Sequence, residues 1–377
     1  MISINSSPKL PTKLLAEQVF FIGQRYSHHA RHSGYEGFSR YVGTLLKPPV
    51  NFRWISAKWG WGLNTLISQV THHPMYSLGA FLTEVTTLLQ MLRRRNCLYH
   101  LLYGDSDLWL LGLLSWFCHL TGNRLVASFH EPSDCLRSLG IIEKVVRGID
   151  AVILVSESQR SYFEEFLPLE RIFVVPHGMD VNFFHPPQIP APNATCITVG
   201  SHLRDFETLK QVMSLVWQAN PKVHWIAVGV HGDRKNPFGS FTDERIQFLN
   251  GVSDEALREA YQTSQAAIFA LKEATANNSL LEAMACGLPV VVTDTGGIAE
   301  YVDDTLGILC PPNNPKDFAH EILRILADSV DRHWKAEASR QRSLKYDYRR
   351  VAEQMGEIYA TVLKLESSIA PKEGIYK

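Results

Sequence analysis

The chain has 377 residues, 45% of them hydrophobic and 20% charged, with a formal net charge of −1. That length suits two domains of ordinary size, and the composition is that of a globular protein. The balanced charge offers no basic field for nucleic acid, and the six cysteines (97, 118, 135, 196, 286 and 310) form no CxxC pair or metal-ligand spacing, which suits a reduced compartment.

Strand-like and helix-like segments alternate along the chain, which predicts mostly parallel sheets covered on both faces. Met1–Lys13 is polar and contains proline, so no signal peptide is expected, and the expected location is cytoplasmic. In the first half, strands are expected at Val19–Ile22, Cys97–Leu101, Leu125–Phe129, Ala151–Val155 and Ile172–Val175. Helices are expected at Leu78–Arg93, Leu108–Leu120 and Glu157–Phe166. The run Leu108–Leu120 (LWLLGLLSWFCHL) is the longest apolar one. It falls short of the roughly 20 residues that span a bilayer and reads as a buried helix packed on a sheet. Trp54, Trp59 and Trp61 near Lys58, with the triplet Arg93-Arg94-Arg95, leave peripheral membrane contact open; core aromatics and a solvated helix end are the plainer reading. His28, His29 and His32 lack the spacing of a paired zinc motif, so no metal site is expected there. Asp105-Ser106-Asp107 spells DxD, but helix N-capping explains it better.

A Pro-rich stretch, His185–Pro192 (HPPQIPAP), closes the first half. Proline fixes φ and lacks a donor, so this reads as a linker. The expected domains are 1–188 and 189–345, followed by a terminal helical segment, 346–377. Strands in the second half are expected at Cys196–Val199, His224–Val228, Ile246–Leu249, Ala266–Leu271 and Val290–Thr293, with a helix over Asp254–Thr263. Asn314-Pro315 makes a helix start, Asn as N-cap and Pro at the first position, ahead of an apolar stripe of Phe318, Ile322 and Leu326. The last helix, about Tyr348–Lys364, carries Val351, Met355, Ile358 and Val362 on one face.

The richest stretch is Glu273–Pro289 (EATANNSLLEAMACGLP), a turn and helix set between two strands. The turn lies at the carboxyl end of a strand, where open α/β sheets bind ligands. Asn277, Asn278, Ser279 and Leu280 open the helix, whose unpaired N–H groups and positive dipole end suit a phosphate. Glu282 falls about one turn in, placed to accept hydrogen bonds from a sugar hydroxyl. The same Ser279-Leu280-Leu281-Glu282 also fits a capping box, which needs no ligand.

Leu281–Val290 (LEAMACGLPV) closely resembles the signature of the group 1 (retaining, family 4) glycosyltransferases. This looks like a branch with an altered turn, since Ala276-Asn277-Asn278 replaces the usual Gly-Phe-Gly and Glu273 stands one residue before the family's first Glu. Other pieces resemble the family in order. Val174–Asp180, then Phe184 and Pro186, resembles its P-N-G-V-D-x-x-x-F-x-P junction. Val199-Gly200, then Arg204, resembles the opening of its nucleotide-binding domain, and Asp294–Gly297, then Glu300, its D-x-GG-x-x-E stretch. Ser33-Gly34-Tyr35 resembles its loop facing the donor phosphates, and His130 its active-site His after a strand.

The resemblance implies the GT-B fold: two Rossmann-like, doubly wound α/β domains facing across a cleft, with the last helix crossing back to the first domain. It implies retaining transfer of a hexose from a UDP- or GDP-sugar to an acceptor hydroxyl, with no cofactor and no metal. It carries His130, Glu273 and Arg204 as catalytic positions, with Gly34, Arg204, Asn277, Asn278, Ser279, Leu280 and Glu282 on the donor. Val252, within Asn250–Ser253, falls where the base is held through backbone groups. Lys210 and Lys272 both remain candidates for a second phosphate-binding cation. The acceptor is a sugar, a polysaccharide or a lipid-linked molecule, shaped by Tyr26–Tyr41 and Trp54–His73. A sugar-nucleotide epimerase or phosphorylase and a non-catalytic nucleotide-sugar-binding protein on the same fold are the competing readings.

Overall fold

The computed structural model describes residues 17–23, 32–46, 61–139, 142–189, 191–230 and 238–364. They form two α/β units. The first is built from the described residues within 1–24, 38–175 and 351–377, the second from those within 25–37 and 176–350.

The first unit holds a six-stranded sheet: β1 (Val19–Ile22), β2 (Thr44–Leu46), β3 (Leu98–Leu101), β4 (Arg124–Phe129), β5 (Ala151–Leu154) and β6 (Ile172–Val174). Its order is β2-β1-β3-β4-β5-β6, with every pair parallel. Strands β1, β3, β4 and β5 are buried at every residue, as parallel strands covered on both faces must be. Strand β2 was not anticipated, because three partly exposed residues (TLL) carry no periodic signal. The helix Tyr348–Lys364 forms where expected, and Val351, Met355, Ile358 and Val362 are all buried. Its Tyr359 hydroxyl meets His100 Nδ1 at 2.7 Å.

The apolar run at 108–120 departs from the expected single buried helix. It forms two short helices, Leu110–Leu113 and Ser115–Leu120, and Leu113, Trp116 and Leu120 stay exposed. The start is fixed by the buried Glu84, whose carboxylate accepts the backbone N–H groups of Trp109, Leu110 and Leu111 at 2.9–3.0 Å. Gly112 lies so close to the next segment that a Cβ would stand 2.6 Å from the Val145 carbonyl.

The second unit also has six parallel strands: β7 (Thr195–Val199), β8 (His224–Val228), β9 (Ile246–Leu249), β10 (Ala266–Phe269), β11 (Val290–Thr293) and β12 (Gly307–Cys310). The sheet order is β12-β11-β10-β7-β8-β9. Alternate residues feed the two faces. Ile197, Val199, Ala267 and Phe269 pack against helices Asp254–Gln262 and Asn278–Ala285. Cys196, Trp225, Ala266 and Ile268 pack against helices Phe206–Ala219 and Pro315–Ala327. The chain winds outward through β8 and β9, then restarts at β10 on the other side of β7. The loops after β7 and β10 therefore flank a topological switch point, where doubly wound sheets bind their ligands.

The units divide at Val175/Pro176, upstream of the Pro-rich stretch expected to part them. The reason is packing. Met179, Val181 and Phe184 enter the second unit's core, and Met179 N donates to Tyr346 O at 2.9 Å. Residues 32–37 join the same unit: Asp180 N donates to His32 O at 2.7 Å, and Tyr348 OH donates to Gly34 O at 2.7 Å.

Candidate active site

The loop after β7 is laced to the end of β10. Gly200 (φ 87°) and Leu203 (φ 53°) take left-handed conformations that turn the chain back. Asp205 N then donates to Ala270 O, and Lys272 N to Leu203 O, both at 2.9 Å. Arg204 is thereby held beside the turn that follows β10. Its Nε and Nη2 donate to Val199 O at 3.1 and 2.9 Å, Nη1 donates to His202 O at 3.1 Å, and Nη2 donates to Asn277 Oδ1 at 3.2 Å. Burial lowers its pKa to about 10, against the opposing fields of Tyr261 and Glu282. It remains a cation at neutral pH, but most of its N–H groups already have partners. The neighbouring carboxylates lie elsewhere: Asp205 caps Thr208 N at 3.1 Å, and Glu207 pairs with Lys210 at 2.6 Å.

The helix Asn278–Ala285 begins two residues earlier than a Ser279 capping box requires. Asn277 is the N-cap, and the Leu280 N–H is taken by its carbonyl at 3.1 Å and its Oδ1 at 3.3 Å. The Leu280 side chain is core, so neither part of this residue is open to a ligand. The first-turn N–H groups of Asn278 and Ser279 have no partner within the helix by the geometry of helix ends. Beside them, the buried Asn277 Nδ2 has no hydrogen-bond partner. Asn278 is steadied through Oδ1 by His177 Nδ1 at 2.6 Å. Burial lowers the His177 pKa to about 4, so the ring is neutral and donates from Nδ1.

Glu282 is 3% exposed. Tyr261 OH donates to its Oε2 at 2.7 Å, and Ser33 Oγ donates to its Oε1. Burial raises its pKa to about 7, while the bonds from Ser33 and Tyr261 pull the other way. A capping box is therefore not its role here, and its known partners in the fold are hydroxyls. Tyr261 was not singled out from sequence, and Ser33 was named only within the Ser33-Gly34-Tyr35 loop; the bond each makes to Glu282 joins residues distant in the chain.

Glu273 lies in the turn between β10 and Asn277 and is partly exposed. The turn is pinned from the far side, where Gly297 N donates to Ala274 O at 2.9 Å. Gly296 (φ 54°) has to be glycine, since a Cβ there would stand 2.0 Å from the Ala274 carbonyl oxygen. Val252 packs against the core beneath this face. Gly34 is buried and accepts the Tyr348 hydroxyl. Lys272 is exposed.

His130 belongs to the first unit and follows β4. Its Nε2 lies 2.8 Å from Leu102 O, so Nε2 carries a proton and donates to that carbonyl. The expected capping role of Asp105 is corrected. Its helix, Gly104–Asp107, has no side-chain cap; the Asp105 carboxylate reaches across to accept His130 N at 2.9 and 3.1 Å and Glu131 N at 3.1 Å. The structure thus brings Arg204, Asn277, Asn278, Ser279 and Glu282 together in the second unit, at its switch point. Among the described residues, no group of three His, Cys, Asp or Glu side chains could hold a metal ion. His28, His29, Trp54, Lys58 and Trp59 lie outside the described residues.

Residues 193–328 match the family described as "Glycosyl transferases group 1". A sulfoquinovosyl transferase from Arabidopsis thaliana is 27% identical over 150 residues, covering 39% of this chain and 29% of that protein. A D-inositol 3-phosphate glycosyltransferase from Nocardiopsis dassonvillei is 23% identical over 266 residues, covering 63% of this chain and 61% of its own length. The chain thus spans less than two thirds of either relative. The structure of Anabaena HepE in complex with UDP and glucose superposes with a TM-score of 0.66 at 16% identity, covering 91% of this chain and 99% of the other. That likeness is one of fold, the two-unit α/β fold of the GT-B glycosyltransferases.

Proposed function

We propose that the chain is a retaining, metal-independent glycosyltransferase that moves a hexose from a UDP-sugar to a hydroxyl of a sugar, polysaccharide or lipid-linked acceptor. The observation that carries this reading is the turn after β10: first-turn N–H groups at Asn278 and Ser279 beside an unpartnered, buried Asn277 amide. Such an array favours an anion, and fixed donors of this kind usually supply the largest share of leaving-group stabilisation. The diphosphate binds there, with Arg204 exchanging protein carbonyls for phosphate oxygens. Glu282, already surrounded by hydroxyl donors, accepts the ribose hydroxyls. The bond between the sugar C1 and the diphosphate breaks as the acceptor oxygen attacks from the same face. The acceptor proton passes to the leaving phosphate, which leaves no need for a protein nucleophile. His130 and Glu273 are the residues proposed to border the hexose. UDP is favoured over GDP because the solved fold neighbour was captured with UDP and glucose.

Thermal unfolding with UDP, GDP, ADP and TDP, each with EDTA and then with Mg²⁺, tests the reading. A ligand at 100 times its Kd adds about 2.7 kcal/mol. A shift with UDP that EDTA leaves unchanged, lost in Glu282→Ala, is expected. No shift with any of the four nucleotides would sink the donor site.

A further inference from the structure

The first unit carries an exposed apolar face that the proposed donor chemistry does not use. Of the 14 exposed large hydrophobic side chains among the described residues, nine fall within residues 61–123. They are arranged by helix geometry. In the helix Trp61–Thr71, Leu63, Leu66 and Val70 recur at helical spacing on its exposed side. In the helix Leu78–Arg93, Leu89 and Leu92 are each half exposed. The helix Ser115–Leu120 adds Trp116 at 59% and Leu120 at 72% exposure. These helices adjoin one another. Cys118 Sγ touches Met91 Sδ at 3.4 Å, Asn123 Nδ2 donates to Met91 O and Arg94 O at 3.0 Å, and Leu78 N donates to Asn64 Oδ1 at 2.9 Å.

Charge identifies what covers this face. Residues 61–123 contain only Glu84, Asp105 and Asp107 as acids, and all are buried. The exposed Arg93, Arg94 and Arg95 follow directly on the Leu89–Leu92 stripe. Nearby carboxylates are engaged: Asp150 with Arg124 and His119, Glu143 with Arg147. A second copy of the same face would bring arginines and no exposed carboxylate to meet them. An anionic lipid surface supplies the missing charge, accepts a Trp at its interface and takes up leucines from helices lying flat on it.

We infer that the face formed by the helices Trp61–Thr71, Leu78–Arg93 and Ser115–Leu120 docks on a bilayer bearing anionic phospholipid, with Trp116 and Leu120 inserted and Arg93–Arg95 on the headgroups. The attachment is peripheral; among the described residues, no helix is long and apolar enough to cross a membrane.

Co-sedimentation of the full chain with vesicles of phosphatidylcholine alone, and of phosphatidylcholine mixed with phosphatidylglycerol, tests this. The chain is expected in the pellet with the mixed vesicles and to leave it as salt is raised. The double variants Trp116→Ser/Leu120→Ser and Arg93→Gln/Arg95→Gln are each expected to weaken partitioning about tenfold while keeping a cooperative melt. Wild-type protein left in the supernatant with mixed vesicles, or variants that sediment as wild type does, would overturn the inference. So would a dimer in sedimentation velocity that Trp116→Ser/Leu120→Ser converts to monomer, which would give the face to a second copy. A missing UDP shift tests the donor site alone and leaves the vesicle result standing.

Discussion

The amide of Asn277 divides its two ends between structure and ligand. Oδ1 caps the helix and accepts from Arg204, while Nδ2 is buried without a partner. Asp is as good an N-cap as Asn and adds a favourable charge at the helix dipole. Asn277→Asp should therefore melt at or above the wild-type temperature. The same change removes the spare donor and sets a carboxylate where the diphosphate is proposed to lie, so UDP affinity should fall at least about tenfold, the effect of roughly 1.4 kcal/mol. Calorimetry alongside UDP titration separates the two effects. Unchanged UDP affinity in this variant would remove Asn277 from the phosphate site. A residue pattern reads out what lies close along the chain. It cannot announce that Ser33 and Tyr261 bond Glu282, because a carboxylate's partners are chosen by the fold and not by its neighbours in sequence.

Between elements, the clearest tie is Asp105, which joins the turn after β3 to the turn after β4. Asp105→Ala removes the acceptor of two partly buried backbone N–H groups, those of His130 and Glu131. An unsatisfied buried donor costs about 1–3 kcal/mol, and these two are only partly buried, so urea denaturation should show a loss of roughly 1–3 kcal/mol. The loss in kcat/KM should accompany it, since the His130 turn is released. Asp105→Asn keeps one acceptor oxygen and should recover part of both. An Ala variant as stable as wild type would show that the tie is incidental. The sequence shows this carboxylate but not its purpose, for the N–H groups it holds come 25 residues later. The same limit explains which elements were legible. Continuous apolar runs such as AVIL and VVVT declare buried parallel strands. The strand GILC, β12, alternates buried ends with half-exposed middle residues and does not. The run at 108–120 looked like one helix because Glu84, which fixes where it starts, sits far upstream.

Across the whole molecule, stability is tied to pH by buried titratable groups whose charged forms are costly to desolvate. Burial raises Glu84, Asp105 and Glu282 each to about 7. A carboxyl whose folded pKa lies above its unfolded value is fully stabilising below the unfolded value, and that stability is lost as pH climbs through the folded one. From pH 6 to pH 8 this loss is about 1 kcal/mol per carboxyl. Buried histidines act in the opposite sense. Desolvation lowers His73, takes His100 to about 3 and His177 to about 4, so the folded state refuses protons that the unfolded chain accepts below its pKa of ~6.5. His100 and His177 each regain somewhat less than about 1 kcal/mol over the same rise in pH, because most of their penalty lies at lower pH, and His73 acts in the same direction. The histidines offset the carboxyl loss most strongly below about pH 6, and the carboxyls win above that. Unfolding free energy should thus fall by on the order of 1 kcal/mol from pH 6 to pH 8, a drop of a few degrees in Tm. Glu84→Gln should shrink the drop, because the charge that is costly to bury is gone. A Tm that rises over this interval would mean that these carboxylates are already ionised in the fold at pH 6, compensated by water or by groups that raise no such penalty.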